Sequence, residues 1–286
     1  MDNLLITIGL PVYNAEKFIA LTLKSIFNQS YQNYEIIITD DGSVDNTIEV
    51  IKSFNDPRIV LISDGINKGI SYRLNQQIDL ARGKYFFRMD ADDIMFPDRL
   101  IKQINYLVNN PEIDVVGSSV VVINDENEII AYRKSIKIED YEKIFKTILF
   151  NHPTVAGKIS FFKKFRYSEN LNGVEDADLW IRSFPYCKFS ILEDPILFYR
   201  DPLVFKLKTY KFRLDQKNKL YNSNEYLSNK PFLRKKLILL NIFKKNLANF
   251  LNLIKMDELL IRRRNNSAYE IKLEWKNVLN NILNEK

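Results

Sequence analysis

Three aspartates follow an apolar run in the first part of the chain. Asp90, Asp92 and Asp93 come directly after "KYFFRM" (Lys84–Met89). Carboxylates this close repel one another, and burying them is costly unless a positive charge lies nearby. On an extended segment, Asp90 and Asp92 would point to the same side. Such oxygen donors suit Mg²⁺ or Mn²⁺, whose remaining positions go to phosphate and water. The other interpretation is that these aspartates cap a turn and the helix after it.

A second acidic pair, Asp40 and Asp41, follows the apolar run "YEIIIT" (Tyr34–Thr39). Gly42 permits a tight turn there, so a solvated acidic turn is one interpretation. Under the functional interpretation, one carboxylate accepts hydrogen bonds from a nucleotide base or ribose. No phosphate-binding glycine loop follows the first predicted strand, which argues against a P-loop NTPase and a dinucleotide dehydrogenase. Phosphates are therefore expected to meet a metal, with help from Arg or Lys.

The third acidic cluster is "GVEDADLWIR" (Gly173–Arg182), which carries Glu175, Asp176 and Asp178. Negative side chains are favoured at a helix N-terminus, so one interpretation is the ordinary start of a helix. The rival interpretation is a general base that takes a proton from a hydroxyl nucleophile. His152, the only histidine, has three open interpretations: a metal ligand, an acceptor contact or a capping residue. A histidine-rich metal site is excluded.

Four apolar runs alternate with helical patterns over the first hundred residues. The predicted strands are Leu4–Leu10, Tyr34–Thr39, Arg58–Ser63 and Lys84–Met89. A helix is predicted over 70–82, ending at Gly83. Strands that alternate with helices indicate parallel βαβ units with right-handed crossovers. Ligands bind at the carboxyl ends of such strands, so Tyr13, Asn14 and the first two acidic clusters are expected at one edge of one sheet.

The pattern is more mixed beyond Pro97. We predict a helix to about Val108, paired strands at 115–123 and 129–134, a helix at 139–150, a strand at 155–162 and a helix from Glu175. These elements would complete the compact part of the protein.

The composition limits the class of protein. The chain has 286 residues, 46% of them hydrophobic, which predicts one large domain or one domain with an extension. Cys187 is the only cysteine, so an intramolecular disulfide and a cysteine zinc cluster are excluded. The first residues lack the basic region of a secretory signal, and no run approaches the ~20 apolar residues of a spanning helix. We therefore expect a soluble or peripheral protein in a reducing compartment.

Positive charge is concentrated near the end of the chain. The total charge is +6, but residues 203–264 contain 16 Lys and Arg against 4 Asp and Glu. Such segregation is typical of a surface that binds nucleic acid or anionic lipid. The segment also has the period of amphipathic helices, so it either packs on the rest of the protein or lies on an anionic membrane surface. No nucleic-acid-binding module is recognisable, so nucleic acid is not expected as a partner.

Six motifs together resemble one known family. They are "PVYN" (Pro11–Asn14), "DDGSVDNT" (Asp40–Thr47), "NKGISYRLNQQIDLARGKY" (Asn67–Tyr85), "RMDADD" (Arg88–Asp93), "HPTV" (His152–Val155) and "EDADLWIR" (Glu175–Arg182). In this order and at these spacings, the motifs resemble family 2 glycosyltransferases of the GT-A fold. The resemblance implies an α/β fold with a Rossmann-like, mostly parallel sheet flanked by helices. We thus predict a GT-A catalytic domain at 1–202, with a nucleotide-sugar part (1–110) and an acceptor part (111–202), and a helical extension at 203–286.

The resemblance also implies roles for individual residues. Asp176 would be the catalytic base, and Asp92 would bind the divalent metal, Mn²⁺ or Mg²⁺. The residues expected to bind the donor, from its nucleoside to its diphosphate, are Pro11, Tyr13, Asn14, Asp40 or Asp41, Arg73 and Asp90. The residues expected to make acceptor or secondary contacts are His152, Glu175 and Trp180. After Tyr199–Arg200 the family commonly has a histidine and a serine-rich stretch, where this chain has "DPLVFKLKTY".

The predicted activity is the metal-dependent transfer of a sugar, with inversion, from a nucleoside-diphosphate donor to a hydroxyl group. A UDP-sugar is the favoured donor, and the acceptor is a glycan or lipid-linked oligosaccharide of surface polysaccharide synthesis. One alternative is a non-catalytic subunit that binds a nucleotide sugar. The other is a sugar nucleotidyltransferase, which would be expected to have a glycine-rich basic loop where this chain has "PVYN". The expected location is the cytoplasm, with the inner face of the plasma membrane as the alternative.

Overall fold

Alternating strands and helices build the first part of the protein. The computed structural model describes residues 4–201, 204–256, 259–260 and 271–284. The first elements are β1 (Ile6–Val12), α1 (Ile19–Phe27), β2 (Tyr34–Asp40), α2 (Thr47–Ser53), β3 (Ile59–Ser63), α3 (Ile70–Leu80) and β4 (Tyr85–Arg88). β1 pairs in parallel with β2 and β4, and β2 pairs in parallel with β3. The four predicted strands therefore form the parallel half of the main sheet.

The middle of the chain completes this sheet and adds a second one. Its elements are β5 (Ile94–Met95), α4 (Arg99–Asn109), β6 (Val115–Ser118), β7 (Val120–Ile123), β8 (Ile129–Arg133), α5 (Tyr141–Ile144), a 3₁₀ turn (His152–Thr154), β9 (Ala156–Lys158), α6 (Ile159–Phe165), α7 (Glu175–Ser183), β10 (Phe189–Leu192) and β11 (Leu197–Arg200). The main sheet has the order β10-β6-β9-β4-β1-β2-β3, with β9 antiparallel to its neighbours. The second sheet has the order β5-β11-β7-β8.

Several predicted elements in this middle part are wrong. The strand predicted over 155–162 is the short β9 followed by α6, because Phe161 and Phe165 lie one helical turn apart and contact each other. The helix predicted over 139–150 is only the four-residue α5. The run 115–123 is two strands, because the chain passes from the main sheet to the second sheet at Ser119. The predicted pairing with 129–134 holds for β7 alone.

Burial on both faces explains why β2 has a continuous apolar sequence. Ile36 and Ile38 pack in the same core as α1, whereas Ile37 packs in the core that contains α3. Parallel strands covered by helices on both faces have this pattern. The turn into β4 is tight, since a Cβ on Gly83 would lie 2.5 Å from Thr7 N. Because β1 pairs in parallel with both β2 and β4, the carboxyl ends of these three strands meet at one edge of the sheet.

The C-terminal extension contacts the rest of the protein in several places. Its described helices are α8 (Leu207–Ser223), α9 (Glu225–Ser228), α10 (Pro231–Leu253) and α11 (Leu273–Asn284). Tyr221 of α8 is buried and donates a hydrogen bond of 2.6 Å to Phe145 O. Trp275 of α11 stacks on Tyr132, with 5.1 Å between the ring centroids. Residues 202–203, at the predicted domain boundary, lie outside the described residues, so the division into domains stays a prediction. Among the helices that the structure describes, none has the length and apolar character required to cross a membrane.

Candidate active site

The loops that follow β1 and β2 are hydrogen-bonded to each other. Asn14 N donates to Ser43 Oγ at 2.9 Å, and Val44 N donates to Asn14 Oδ1 at 2.9 Å. Asn14 has a φ of 48°, in the left-handed region that asparagine tolerates well. Tyr13 is 53% exposed, so its ring is available to a ligand. The two loops form one connected edge, and a nucleoside contact by Pro11, Tyr13 and Asn14 stays a prediction.

Asp40 and Asp41 both hold loops together. Asp40 accepts hydrogen bonds from the backbone of its own turn and from Ser63 Oγ at 2.9 Å. Asp41 accepts from Lys68 N at 2.7 Å and from Gly69 N at 3.1 Å. Each buried carboxylate is therefore satisfied by neighbouring loops in this conformation. A contact from either one to a nucleotide base stays a prediction.

Arg73 is fully buried beneath the same loops. Its Nε donates to Asp41 Oδ1 at 3.1 Å, and its Nη2 donates to Asp64 Oδ1 at 2.6 Å and to Ile66 O at 2.5 Å. The guanidinium thus links the Asp41 loop to the segment after β3. A direct contact with a diphosphate would require this pairing to change, so that role stays a prediction.

Three carboxylates form a compact cluster after β4. Ligand oxygens of Asp90, Asp92 and Asp93 all lie within 4.8 Å of one another. Arg88 Nη2 lies 2.5 Å from Asp90 Oδ1, and Arg200 N donates to Asp93 Oδ1 at 2.8 Å. Asp93 Oδ2 is buried and has no hydrogen-bond partner among the described residues. The cluster therefore has an unused oxygen and closely spaced like charges.

The electrostatics of this cluster favour a cation. Burial and the neighbouring Asp90 raise the pKa of Asp92 to about 6. Burial, followed by the charges of Asp92 and Asp90, raises the pKa of Asp93 well above its ordinary value. Burial is the main cause of both shifts, and the nearby Arg88 and Arg200 oppose them only in part. Because hard oxygen ligands at this spacing suit Mg²⁺ and Mn²⁺, these residues fit a divalent metal.

Arg200 holds the loop of the aspartate cluster through its backbone. Its Nε donates to Asp92 O at 2.8 Å, and its Nη2 donates to Asn127 Oδ1 at 2.6 Å. The guanidinium also lies 4.3 Å from the ring centroid of Phe18. Arg200 is buried, so the Tyr199–Arg200 motif positions the aspartates in this conformation.

The acidic residues at the start of α7 have different environments. Asp178 pairs with Arg182 at 2.7 Å, within one turn of the same helix. Glu175 is buried, and its Oε2 has no partner among the described residues. Burial and the nearby Asp176 raise the pKa of Glu175. Asp176 is half-buried and accepts a 2.7 Å hydrogen bond from Ala177 N. Asp178 is therefore paired within its own helix, whereas the role of Asp176 as catalytic base stays a prediction.

His152 is held by an aromatic neighbour. Its Nε2 lies 2.8 Å from the Tyr167 hydroxyl, and its ring meets Trp180 edge-on at 6.2 Å between centroids. Burial, with a smaller effect from Arg88, lowers the pKa of His152 well below its ordinary value. The imidazole is therefore neutral at pH 7. The predicted acceptor or secondary contacts of His152 and Trp180 stay predictions.

One cavity of about 470 Å³ brings separate motifs together. The predicted site residues in its lining are Asp90, His152, Glu175, Asp176 and Trp180. The other predicted residues lie at the ends of β1, β2 and β4 and in α3, outside this lining. The cavity thus joins the aspartate cluster, through Asp90, to the acidic start of α7.

Residues 7–169 match the family model described as glycosyl transferase family 2. The match covers more than half of the chain and includes the loops after β1, β2 and β4. The chain belongs to glycosyl transferase family 2. The family predicted from the six motifs is confirmed.

Relatives of this family 2 glycosyltransferase span most of its length. An uncharacterized glycosyltransferase of Methanocaldococcus jannaschii is 35% identical over 230 residues, which is 78% of each chain. The Escherichia coli UDP-Glc:alpha-D-GlcNAc-diphosphoundecaprenol beta-1,3-glucosyltransferase WfgD is 32% identical over 181 residues, covering 63% of this chain and 70% of that one. A Pyrobaculum calidifontis mannosyltransferase, solved with GDP-Man and Mn²⁺, is similar in fold, with a TM-score of 0.60 and 15% identity over 97% of this chain and 84% of that one. The GT-A fold is confirmed, and the protein is a glycosyltransferase.

Sequence reasoning missed several residues of this glycosyltransferase cavity. They are Arg88, Arg133, Tyr199, Tyr210, Arg213 and Lys217. Arg88 and Tyr199 lie inside motifs that the sequence had already indicated, "RMDADD" and Tyr199–Arg200, so their place in those motifs was a usable signal. The three residues from α8 belong to no motif. Their spacing of three and four residues places them on one helical face, which was the only signal in the sequence.

Proposed function

We propose that this protein is a metal-dependent, inverting glycosyltransferase of surface polysaccharide synthesis. It transfers a sugar from a nucleoside-diphosphate donor, preferably a UDP-sugar, to a hydroxyl group of a glycan or lipid-linked oligosaccharide. The observation that carries the proposal is the cavity, whose lining contains both Asp90 and Asp176. A sugar held there would have its leaving diphosphate beside the aspartate cluster and the attacking hydroxyl beside α7. Holding the two reactants in this geometry supplies much of the rate enhancement.

Asp92 is the proposed metal ligand, with Asp90 and Asp93 as its neighbours. The metal would be Mn²⁺ or Mg²⁺, and the Mn²⁺ bound to the Pyrobaculum calidifontis neighbour supports this class of ion. When bound, such a cation supplies positive charge against the negative charge that builds on the departing diphosphate. The ion pair of 2.5 Å from Arg88 holds the Asp90 carboxylate in place.

Asp176 is the proposed general base. The acceptor oxygen forms a bond to C1 of the sugar, and the bond from C1 to the diphosphate oxygen breaks. The hydroxyl proton moves to the Asp176 carboxylate, while the electron pair of the broken bond leaves with the nucleoside diphosphate. Burial raises the pKa of the adjacent Glu175, so Glu175 holds a proton more readily. Of the two neighbouring carboxyl groups, Glu175 is buried whereas Asp176 is half-buried in the cavity lining, and this geometry makes Asp176 the proposed base.

The donor and acceptor classes rest on the relatives. WfgD is named for UDP-Glc as donor and for a sugar linked through a diphosphate to undecaprenol as acceptor. This supports a UDP-sugar and a lipid-linked acceptor for the present chain. GDP-Man in the Pyrobaculum calidifontis complex makes GDP-sugars the first donors to compare.

The test is donor binding and hydrolysis with UDP-, GDP- and dTDP-sugars, each with Mn²⁺, Mg²⁺ or EDTA. We expect one nucleotide class to bind only with metal, and Asp92→Asn to weaken that binding by about 10–100-fold or more. Asp194→Asn, at an exposed position, is the matched control. Donor binding that depends neither on the metal nor on Asp92 would contradict the proposal. The aspartates would then be a cap of the turn and of the helix after it. Donor binding without hydrolysis or transfer would favour the non-catalytic subunit.

We further propose that α10 lies on an anionic membrane surface at the inner face of the plasma membrane. The inward side of α10 packs through Leu237, Asn241 and Ala248, which are buried. Its outward side carries Phe232, Leu239, Phe243 and Phe250, which are 83%, 56%, 62% and 57% exposed. The spacing of these four side chains (7, 4 and 7 residues) places them in one stripe along the helix. We call them the α10 stripe.

Charge identifies the surface that suits the α10 stripe. The helix contains five Lys and Arg and no Asp or Glu, with Lys235 and Lys236 exposed. Helices that combine an apolar stripe with basic residues lie in the headgroup layer of anionic membranes. A second copy of the chain would bring the same positive charges together, which disfavours pairing through this face.

Vesicle sedimentation tests the membrane proposal. We expect the protein to sediment with vesicles that contain anionic phosphatidylglycerol, less so as salt is raised, and poorly with phosphatidylcholine alone. The double variant Phe243→Glu, Phe250→Glu should lose most of this binding, while Ile136→Glu, at an exposed loop position, should retain it. Wild-type protein that stays in solution, or that dimerises through the α10 stripe without lipid, would contradict the proposal.

A further inference from the structure

Helix α8 turns a positively charged face toward the cavity. Tyr210, Arg213 and Lys217 of this helix belong to the cavity lining, together with Leu214 and Tyr221. Successive members of this set are one helical turn or less apart, so they share one side of α8. Leu220 and Tyr221 are buried in the protein core and fix that side in place. The position of the two cations is therefore set by the packing of the helix.

Arg213 and Lys217 differ from other cations of the extension. Lys230 pairs with Glu142 at 2.6 Å, and Lys245 pairs with Asp215 at 2.7 Å. Within the described residues, neither Arg213 nor Lys217 makes an ion pair with a carboxylate. Lys217 is half-buried, and burial lowers the pKa of its ammonium group. A partly desolvated cation without an ion-pair partner is costly, and an anionic ligand would remove that cost.

The surroundings of Lys217 place it on the acceptor side of the cavity. Lys217 and Asp176, the proposed base, both belong to the lining of this cavity, and Asp176 is the carboxylate that opposes the lowering of the Lys217 pKa. The donor diphosphate belongs beside Asp90, Asp92 and Asp93, and inversion brings the acceptor from the opposite face of the sugar. Since Asp176 takes the proton of the acceptor hydroxyl, a cation close to Asp176 is close to the acceptor.

We propose that Arg213 and Lys217 form a subsite for a phosphate or diphosphate group carried by the acceptor. This inference rests on the proposed function, because it uses Asp176 to define the acceptor side. Guanidinium and ammonium groups both bind phosphate through charge-assisted hydrogen bonds, and two of them match the charge of a diphosphate better than one. The phosphate could come from a lipid-linked diphosphate sugar or from a phosphate-bearing glycan without lipid.

Acceptor kinetics test the subsite in Lys217→Gln, in Arg213→Gln and in the double variant. The probes are an undecyl diphosphate glycoside of N-acetylglucosamine, the lipid-free sugar 1-phosphate, and the neutral undecyl glycoside. For phosphate-bearing acceptors we expect KM to rise about tenfold in each single variant and more in the double variant. The Kd of the UDP-sugar and the KM of the neutral glycoside should change less than about twofold. Lys219→Gln, exposed on the same helix, should behave as wild type.

The outcomes separate the subsite from other roles. A rise in KM for both phosphate probes indicates recognition of the phosphate itself, and a rise for the diphosphate lipid alone indicates a lipid-linked acceptor. Weaker binding of the UDP-sugar would reassign the cations to the donor and overturn the proposal. Equal losses with the neutral glycoside, or no loss with any acceptor, would also overturn it.

A binding measurement keeps the subsite distinct from the activity. Calorimetry of the undecyl diphosphate glycoside with UDP-loaded protein requires no turnover. Binding that depends on Lys217, in a protein that transfers no sugar, would sink the proposed function and keep the subsite. If the protein transfers sugar but its binding of the diphosphate glycoside does not depend on Lys217 or Arg213, the proposed function holds and the subsite is overturned.

Discussion

The sheet edge with most of the predicted donor-binding residues and the cavity are built in different ways. We call that edge, with Tyr13, Asn14, Asp40, Asp41 and Arg73, the donor edge. At the donor edge, Asp40, Asp41 and Arg73 are buried and satisfied by loops that follow neighbouring strands. Around the cavity and the aspartate cluster, Asp93 Oδ2, Glu175 Oε2 and Trp180 Nε1 are buried without a partner among the described residues. Buried polar groups are rarely left unpaired without a reason. The carboxylates and the guanidinium of the donor edge are therefore paired within the protein, whereas the cavity and the aspartate cluster contain buried polar groups that remain available to a ligand.

The largest expected effect is on the chemical step. Asp176→Asn removes the proposed proton acceptor but keeps the shape of the side chain. We expect the rate of sugar transfer to fall by about 10²–10⁴-fold, with UDP-sugar binding unchanged, because the base acts in the cavity and not at the donor edge. Initial rates of product formation and calorimetry measure the two quantities, with Asp194→Asn as the control.

Loss of donor binding in Asp176→Asn would contradict this comparison. It would mean that the start of α7 also builds the donor edge. Unchanged transfer would remove Asp176 from the role of base and leave the buried Glu175 as the next carboxyl group to test.

The strands and the helix of the donor edge were also the elements that sequence predicted best. β1, β2, β4 and α3 have local periodicity, and their polar residues follow the strands directly, so topology brings them to one edge. The start of α7 was predicted for the same local reason. The rest of the cavity depends on long-range packing. The chain passes from the main sheet to the second sheet at Ser119. The burial of Leu220 and Tyr221 determines which side of α8 faces the cavity. The sequence has no local signal for the first event, and for the second it shows only that the three α8 residues share one helical face.

A second prediction concerns a substitution that breaks a connection between the donor edge and the cavity. Arg99 of α4 is fully buried, and its Nη2 donates to Arg88 O and to Pro153 O, both at 2.7 Å. It thereby links the end of β4 to the turn that carries His152. Burial lowers the pKa of Arg99 to about 9, and the guanidinium remains charged at pH 7.

Replacing Arg99 by Met leaves those two carbonyls without their donor. Each unsatisfied buried group costs about 1–3 kcal/mol, so we expect the free energy of unfolding to fall by about 2–6 kcal/mol, measured with denaturant. Sugar transfer should fall as well, because the His152 turn loses one of its links to β4. UDP-sugar binding should persist in the folded protein, since the bonds of Asp40 and Asp41 do not involve α4. A variant as stable as wild type would show that the link is dispensable.

The smallest expected effect is the change of the free energy of unfolding with pH that comes from His152 in the cavity lining. His152 is the only histidine of the chain, and burial lowers its pKa well below the ordinary value of about 6.5. Below pH 6.5 the unfolded chain binds a proton at this residue that the folded protein does not bind. The free energy of unfolding should therefore decrease by up to about 1.4 kcal/mol per pH unit as pH falls from 6.5 toward the folded pKa.

His152→Gln removes this dependence and keeps a polar group near the Tyr167 hydroxyl. We expect the difference in unfolding free energy between wild type and variant to change with that slope between pH 6.5 and 5.5. Tyr13→Phe, at the exposed donor edge, should keep the wild-type slope, because it alters no histidine. If wild type and His152→Gln have parallel pH profiles, His152 titrates freely in the folded protein. The cavity would then be as open to water as the donor edge. Its unpaired groups, Glu175 Oε2 and Trp180 Nε1, would be hydrogen-bonded to water and would not require a substrate.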